Sequence, residues 1–203
     1  MSPKARAGWL KLLHRWHWIS AALCLVGMLA FAITGITLNH AGQIGGTPQT
    51  RNQRAELSSE LLASLRAQVE RGGELPPDVR TAVYARFGLR LSGRNVEWSA
   101  DEIYVSLPRP GGDGWLAIDL ASGGMEYETT ERGWIAWFND LHKGRHTGAA
   151  WSWFIDLFAI VCLVFCLTGL CLLQLHARQR TATWPTLGLG LLLPLLLILL
   201  LVH

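Results

Sequence analysis

Three stretches of this chain, residues 18–38, 151–175 and 185–202, are apolar over the length that crosses a bilayer. About 20 apolar residues in a helix span the hydrocarbon core, so the chain is expected to build on three transmembrane helices. Lys4, Arg6, Lys11 and Arg15 precede the first stretch, and Arg178 and Arg180 follow the second. The positive-inside rule keeps those groups in the cytoplasm, which puts the N-terminus inside and residues 42–148 outside. A basic start before an apolar run imitates a signal peptide, but the length of the run and the spans after it read as an uncleaved anchor. The third stretch is nearly all leucine, carries no charge, and holds Pro194 at a kink position. Its role is anchoring, and it leaves His203 outside. Trp9, Trp16, Trp18, Trp134, Trp137, Trp151, Trp153 and Trp184 flank the apolar stretches, where aromatic belts form.

The polar part is a single block of roughly 110 residues between the first two spans. The resulting fold class is an α-helical membrane protein with three transmembrane helices and a small α+β module between the first two. Its parts are residues 1–41, the N-terminus and first helix; 42–138, the soluble module; 139–177, the second helix; and 178–203, a cytoplasmic turn and the third helix. Within the module, residues 42–54 read as a Gly/Thr/Gln linker. Residues 55–70 have helical spacing, with Leu57, Leu61, Leu62, Leu65 and Val69 on one side. Pro76-Pro77-Asp78 starts a second short helix over 79–87. Strand-like runs follow at 95–99, 102–107, 114–120 and 125–129, separated by turn residues. The module shows no clustered His, Cys or carboxylate set. Cys24, Cys162, Cys166 and Cys171 all lie in apolar segments, so no disulfide framework is implied. No basic stripe is interleaved with aromatics, which excludes nucleic acid as a partner. The lipid bilayer is the partner that composition demands.

Six of the seven histidines sit at the ends of the first two apolar segments: His14, His17 and His40 on one, His142, His146 and His176 on the other. Histidine is rare beside a membrane span unless something uses it. Imidazoles at two matching heights are what two stacked haems b need, each iron between two axial histidines. The plainer alternative is a set of interfacial histidines with polar tips at the headgroups. His14 to His40 covers 26 positions, about 39 Å of helix, more than the roughly 30 Å core. His40 and His142 therefore meet at the outer face, and His14 or His17 meets His176 at the inner face. Two histidines three or four apart on one helix cannot sandwich one iron. His14 lies about 80° around the helix from His40 and His17 about 140°, which favours His14 if one face lines the interior. His146, one helical turn beyond His142, is the alternative outer ligand. Gly35 below His40, and Gly144 and Gly148 around His146, offer sites where a porphyrin could approach a helix; close helix packing explains such spacing equally. Arg15, Lys143 and Arg145 are candidates to pair with haem propionates or to act as topology charges. Asp156 is a carboxylate inside the second span, for proton transfer or structural hydrogen bonding.

Phe31-Ala-Ile-Thr34-Gly35-Ile-Thr-Leu38 matches Phe165-Cys-Leu-Thr168-Gly169-Leu-Cys-Leu172. By the expected topology these copies run in opposite directions through the membrane, and inverted pairs often build a site between them. Together with Leu13-His14-Arg15-Trp16 and Asp140-Leu141-His142-Lys143-Gly144-Arg145, these segments resemble the PepSY-associated transmembrane (PepSY-TM) proteins. Gly114-Trp-Leu-Ala-Ile-Asp119-Leu-Ala-Ser122-Gly123 is similar to the end of a PepSY module. Some members of that family are inner-membrane haem proteins that reduce ferric siderophores. The resemblance thus implies a bacterial inner-membrane oxidoreductase of the ferric-reductase type, moving electrons across the membrane. The donor would be a quinone or a reductase, since the chain carries no flavin or nucleotide motif, and the acceptor a periplasmic molecule or protein. Larger members have more spans; this shorter chain is expected to relay electrons or to work with a separate subunit. A non-catalytic PepSY regulator or binding protein is the second reading, and a haem-free metal site the third.

The topology is open to direct measurement. Single cysteines placed at Ser58 and Ser122 should react with an impermeant thiol reagent in intact spheroplasts. Labelling at both sites only after lysis would reverse the orientation.

Overall fold

A computed structural model describes residues 2–202, with all side chains in that range except those of Pro3 and Arg178. The expectations placed on the Arg178 side chain and on His203 lie outside the described residues. Helix α1 is Pro3–Asn39, followed by a single turn of helix, α2, at Ala41–Ile44. Helix α6, Ala149–His176, ends in a 3-10 turn at Ala177–Gln179, and α7 spans Thr183–Leu201, running through Pro194. Among the described residues, these three long helices have the length and apolar composition to cross a membrane, with mean hydropathies of 2.3, 2.6 and 2.3. Each begins before the apolar stretch that announced it.

The chain divides into two compact units, one formed by the described residues of Met1–Ala30 with Trp153–His203 and the other by Phe31–Ser152. Helices α1 and α6 each contribute to both. The second unit contains an antiparallel sheet whose strands are β1 (Gln49–Glu56), β2 (Val96–Trp98), β3 (Glu102–Ser106), β4 (Gly112–Asp119) and β5 (Gly124–Glu131), in the order β1-β5-β4-β3-β2. Two helices pack against it, α3 (Ser59–Gln68) and α4 (Pro77–Phe87). Strand alternation decides which sheet face they cover. Register places Ile103 opposite Ile118 and Ile118 opposite Met125, with Val105 opposite Leu116. These five side chains are buried and meet Leu62 and Leu65 of α3 and Val79 and Val83 of α4. The opposite face carries Glu97, Tyr104, Trp115, Glu126 and Glu128, one residue out of phase. Ser58 caps α3 by accepting from the Leu61 N–H, and Pro77 occupies the first turn of α4, where a missing N–H costs nothing.

Two expectations are corrected. Residues 49–54 are not linker and residues 55–56 not helix: they belong to β1, which pairs along its whole length with β5 from Gln49↔Glu131 to Glu56↔Gly124, and α3 begins only at Ser59. An edge strand with both faces polar has no alternation to betray it; here Asn52 and Arg54 hold Glu126 instead. The second correction concerns the entry to the second span. His142 is the penultimate residue of a separate helix, α5 (Gly133–Lys143), and α6 starts six residues after Lys143, at Ala149. Gly144 (φ 65°), His146 (φ 59°) and Gly148 (φ 81°) are all left-handed and break the helix between them. His146 therefore lies in a turn, not one helical turn beyond His142. Gly144 serves as the C-terminal cap of α5, its N–H bonding the Asp140 and Leu141 carbonyls.

The β4–β5 turn carries a pH-sensitive contact. The Asp119 carboxylate accepts from the Ser122 hydroxyl at 2.7 Å, the Ser122 N–H at 2.5 Å and the Ala121 N–H at 3.0 Å. The Ser122 bonds, above all, hold its carboxyl below the ordinary aspartate value. A depressed native value stabilises the fold above the ordinary range near pH 4 and is lost as pH falls through the native value. Denaturation of the solubilised protein at pH 6 and at successively lower pH should show wild type losing more stability on acidification than Asp119→Asn. Identical slopes would show that the turn does not couple to folding.

Candidate functional site

Two of the six membrane-flanking histidines are gripped by a neighbouring helix. In the first unit, His17 of α1 lies half-buried against α6. Its Nδ1 is 3.0 Å from Thr168 Oγ1, and its ring stacks on Phe165 with centroids 4.7 Å apart and planes inclined by 16°. A Cβ at position 169 would stand 3.3 Å from His17 Cε1, so glycine there leaves room for the ring. In the second unit, His142 of α5 meets α1 in the same way. Its Nδ1 is 2.6 Å from Thr34 Oγ1, its ring lies 4.8 Å from that of Phe31, and a Cβ at Gly35 would stand 3.8 Å from its Cε1. The Phe-x-x-Thr-Gly repeat seen in the sequence is thus two copies of one histidine cradle: an aromatic face, a hydroxyl and a bare stretch of backbone.

The other histidines are arranged differently. His14, His40 and His176 are exposed, and each turns Nδ1 to the carbonyl four residues back on its own helix, Leu10 at 2.8 Å, Ile36 at 3.1 Å and Leu172 at 2.8 Å. A carbonyl only accepts, so these rings carry the proton on Nδ1 and, when neutral, a lone pair on Nε2. His17 and His176 line one open cavity of about 490 Å³ together with Gly169, Leu172, Leu173, Arg180 and Thr183. Of the two candidates on α1, His17 shares this cavity with His176, while His14 turns to its own helix. His40 lies six residues beyond Thr34, as His176 lies eight beyond Thr168. His146 is exposed in the α5–α6 turn, and Asp156 lies on an exposed face of α6. Arg15 is exposed near the start of α1.

Helix α5 is held in place from the sheet. Asp140, buried two residues before His142, accepts the Gly111 N–H at 2.9 Å and pairs with Arg145 at 2.7 Å. Gly111 has φ 71°, and a Cβ there would fall 2.7 Å from that of Trp137, so the loop before β4 sits directly on α5. Buried Asn139 meets the Thr37 hydroxyl of α1 at 2.6 Å, and the Trp151 indole donates to the Leu141 carbonyl at 2.9 Å. Arg145, read as a propionate partner or topology charge, is thus engaged by Asp140, whereas Arg180, read as a topology charge, lines the histidine cavity. Sequence reasoning found the repeat but not the work of its Thr and Phe residues, because nothing in the linear order says which histidine faces which threonine.

Among the described residues no three His, Cys, Asp or Glu side chains converge as ligands of a metal ion; the donors here are imidazoles. The sequence model of the PepSY_TM-like family matches residues 8–203 of the chain. No curated protein and no solved structure matches it.

Asp140 offers a test of how the module supports the site. Asp140→Ala strands a buried Gly111 N–H and should cost about 1–3 kcal/mol of unfolding free energy. Asp140→Asn keeps an acceptor for that N–H and should cost less, as measured by denaturant titration. Equal losses in the two variants would assign the effect to the Arg145 ion pair instead.

Proposed function

The chain belongs to the PepSY_TM-like family, and from that premise we propose that it is an inner-membrane di-haem b electron-transfer protein. It takes electrons from a quinol or a reductase on the cytoplasmic side and passes them to a periplasmic acceptor. Ferric siderophore iron is the acceptor that the family resemblance implies. The observation that carries this reading is the repeated cradle, which holds His17 and His142 by Nδ1 and leaves Nε2 to ligate.

The residues of the cavity that His17 and His176 line fit the group. His17 and His176 would hold one haem, and His142 with His40 the other. Two neutral imidazoles leave no open position on the iron, so the group supplies one-electron transfer when bound. The protein's part is binding and insulation. Leu172, Leu173 and Gly169 make much of the inner cavity wall apolar, which keeps water from the ligating nitrogens, and the Arg180 guanidinium at the same cavity is placed to pair with a carboxylate. In the second unit, Asp140 and Asn139 hold α5 so that His142 stays against Thr34.

Protein purified from haem-replete cells should be reddish, with a low-spin reduced b-type spectrum and about two haems per chain. The sequence has no Cys-x-x-Cys-His, so the haem should extract into acidified organic solvent. His17→Ala and His176→Ala should each lose about half of the haem, and the double variant no more, because the pair acts as one unit. His142→Ala and His40→Ala should lose the other half. A colourless, folded wild type would end the haem reading and favour a regulator. Haem loss in His14→Ala with retention in His17→Ala would move the inner ligand.

A further inference from the structure

We propose that Thr34 and Thr168 are positioning residues, each fixing the tautomer and ring orientation of the histidine across from it so that Nε2 faces the iron. The proposal rests on the haem reading above. Its argument is a count of protons. A threonine hydroxyl has one proton to give and lone pairs to accept with. The Thr168 hydroxyl lies 2.7 Å from the Val164 carbonyl and 3.0 Å from that of Phe165, and the Thr34 hydroxyl 3.1 Å from the Phe31 carbonyl. Those oxygens only accept, so a threonine that gives its proton to its own helix has none left for the imidazole. Toward the imidazole it then acts as acceptor, and the facing nitrogen must carry the hydrogen. That nitrogen is Nδ1 in both cradles. A neutral imidazole has a single N–H, so Nε2 keeps the lone pair that binds metal.

Back-bonding of threonine to its own helix is common packing chemistry and needs no histidine opposite. Here it recurs at both copies of the repeat, each time with a histidine Nδ1 at the remaining lone pair and a Phe ring beside the imidazole. His14, His40 and His176 bond carbonyls of their own helices, an arrangement open to any helical histidine, and so have no dedicated partner of this kind. An acceptor on Nδ1–H makes Nε2 more basic. A more basic ligand favours ferric over ferrous iron. Removing the hydroxyl should therefore raise the potential of the haem it serves and leave the other alone.

The test uses the full-length, haem-loaded protein and reads haem content and midpoint potential in Thr34→Val, Thr168→Val and the corresponding Ser variants. Each Val variant should raise the potential of one haem and weaken its retention about 10- to 100-fold, with the second haem unchanged. Each Ser variant should return both values to wild type. Unmoved potentials in both Val variants would overturn the proposal, as would both haems shifting together in a single variant, the mark of general loosening. If a Val variant drops one haem altogether, the Ser variant decides: recovery supports the role, and loss equal to valine's sinks it. A colourless wild type would remove the haem reading and this one with it. A coloured wild type with indifferent threonines removes only this one.

Discussion

A polar side chain on an apolar helix needs a partner, and in this protein the partner is on another helix. Thr168 with His17, and Thr34 with His142, are side-chain hydrogen bonds between segments 151 and 108 residues apart in sequence. In lipid the gain from apolar contact is small, because acyl chains are as apolar as leucine; hydrogen bonds and close packing select which helices meet. Glycine at the next position lets the imidazole lie against the backbone, and phenylalanine a turn earlier closes its side. Close packing elsewhere follows the same logic: a Cβ at Gly27 of α1 would collide with the Phe158 ring of α6.

The soluble module obeys the ordinary physics of water. Its core is the inner face of the sheet, closed by α3 and α4, and is built from alternating Ile, Val and Leu. The exposed surface pairs, Arg54 with Glu126 and Arg109 with Glu131, contribute little. The contact that matters for the site is Asp140. A buried carboxylate satisfied by one backbone N–H and one guanidinium ties the loop before β4 to the helix that carries His142. The module is thereby mechanically part of the histidine site, although it contributes no ligand of its own.

How much of this was legible in the order of residues differs from element to element. The three long helices were, because about 20 apolar residues leave a chain few options in a bilayer. The strands β2 to β5 were, from alternation and the turn residues between them. Strand β1 was not, since an edge strand with both faces polar carries no period. The break between α5 and α6 was not, although it falls in the polar run 142–148, because two glycines read as packing sites turned out to supply left-handed backbone. Of the site, the histidines and the repeat were visible. The choice of His17 over His14 at the shared cavity was not: helix periodicity measured angles against His40, whereas the deciding contact is with Thr168 on a different helix.

Sequence by itself determined the parts: three apolar helices, an α+β module between the first two, histidines at the ends of the first two spans, and a duplicated Phe-x-x-Thr-Gly segment. These depend on local properties, namely length, hydropathy and periodicity, which act within a few turns of chain. Tertiary structure decided the partners. It set His17 against Thr168 and His142 against Thr34, turned Gly144 and Gly148 into the break that ends one helix before the next begins, and gave Arg145 to Asp140 while Arg180 went to the cavity. Such contacts join residues far apart in sequence and depend on how helices face one another, a quantity that no local pattern encodes.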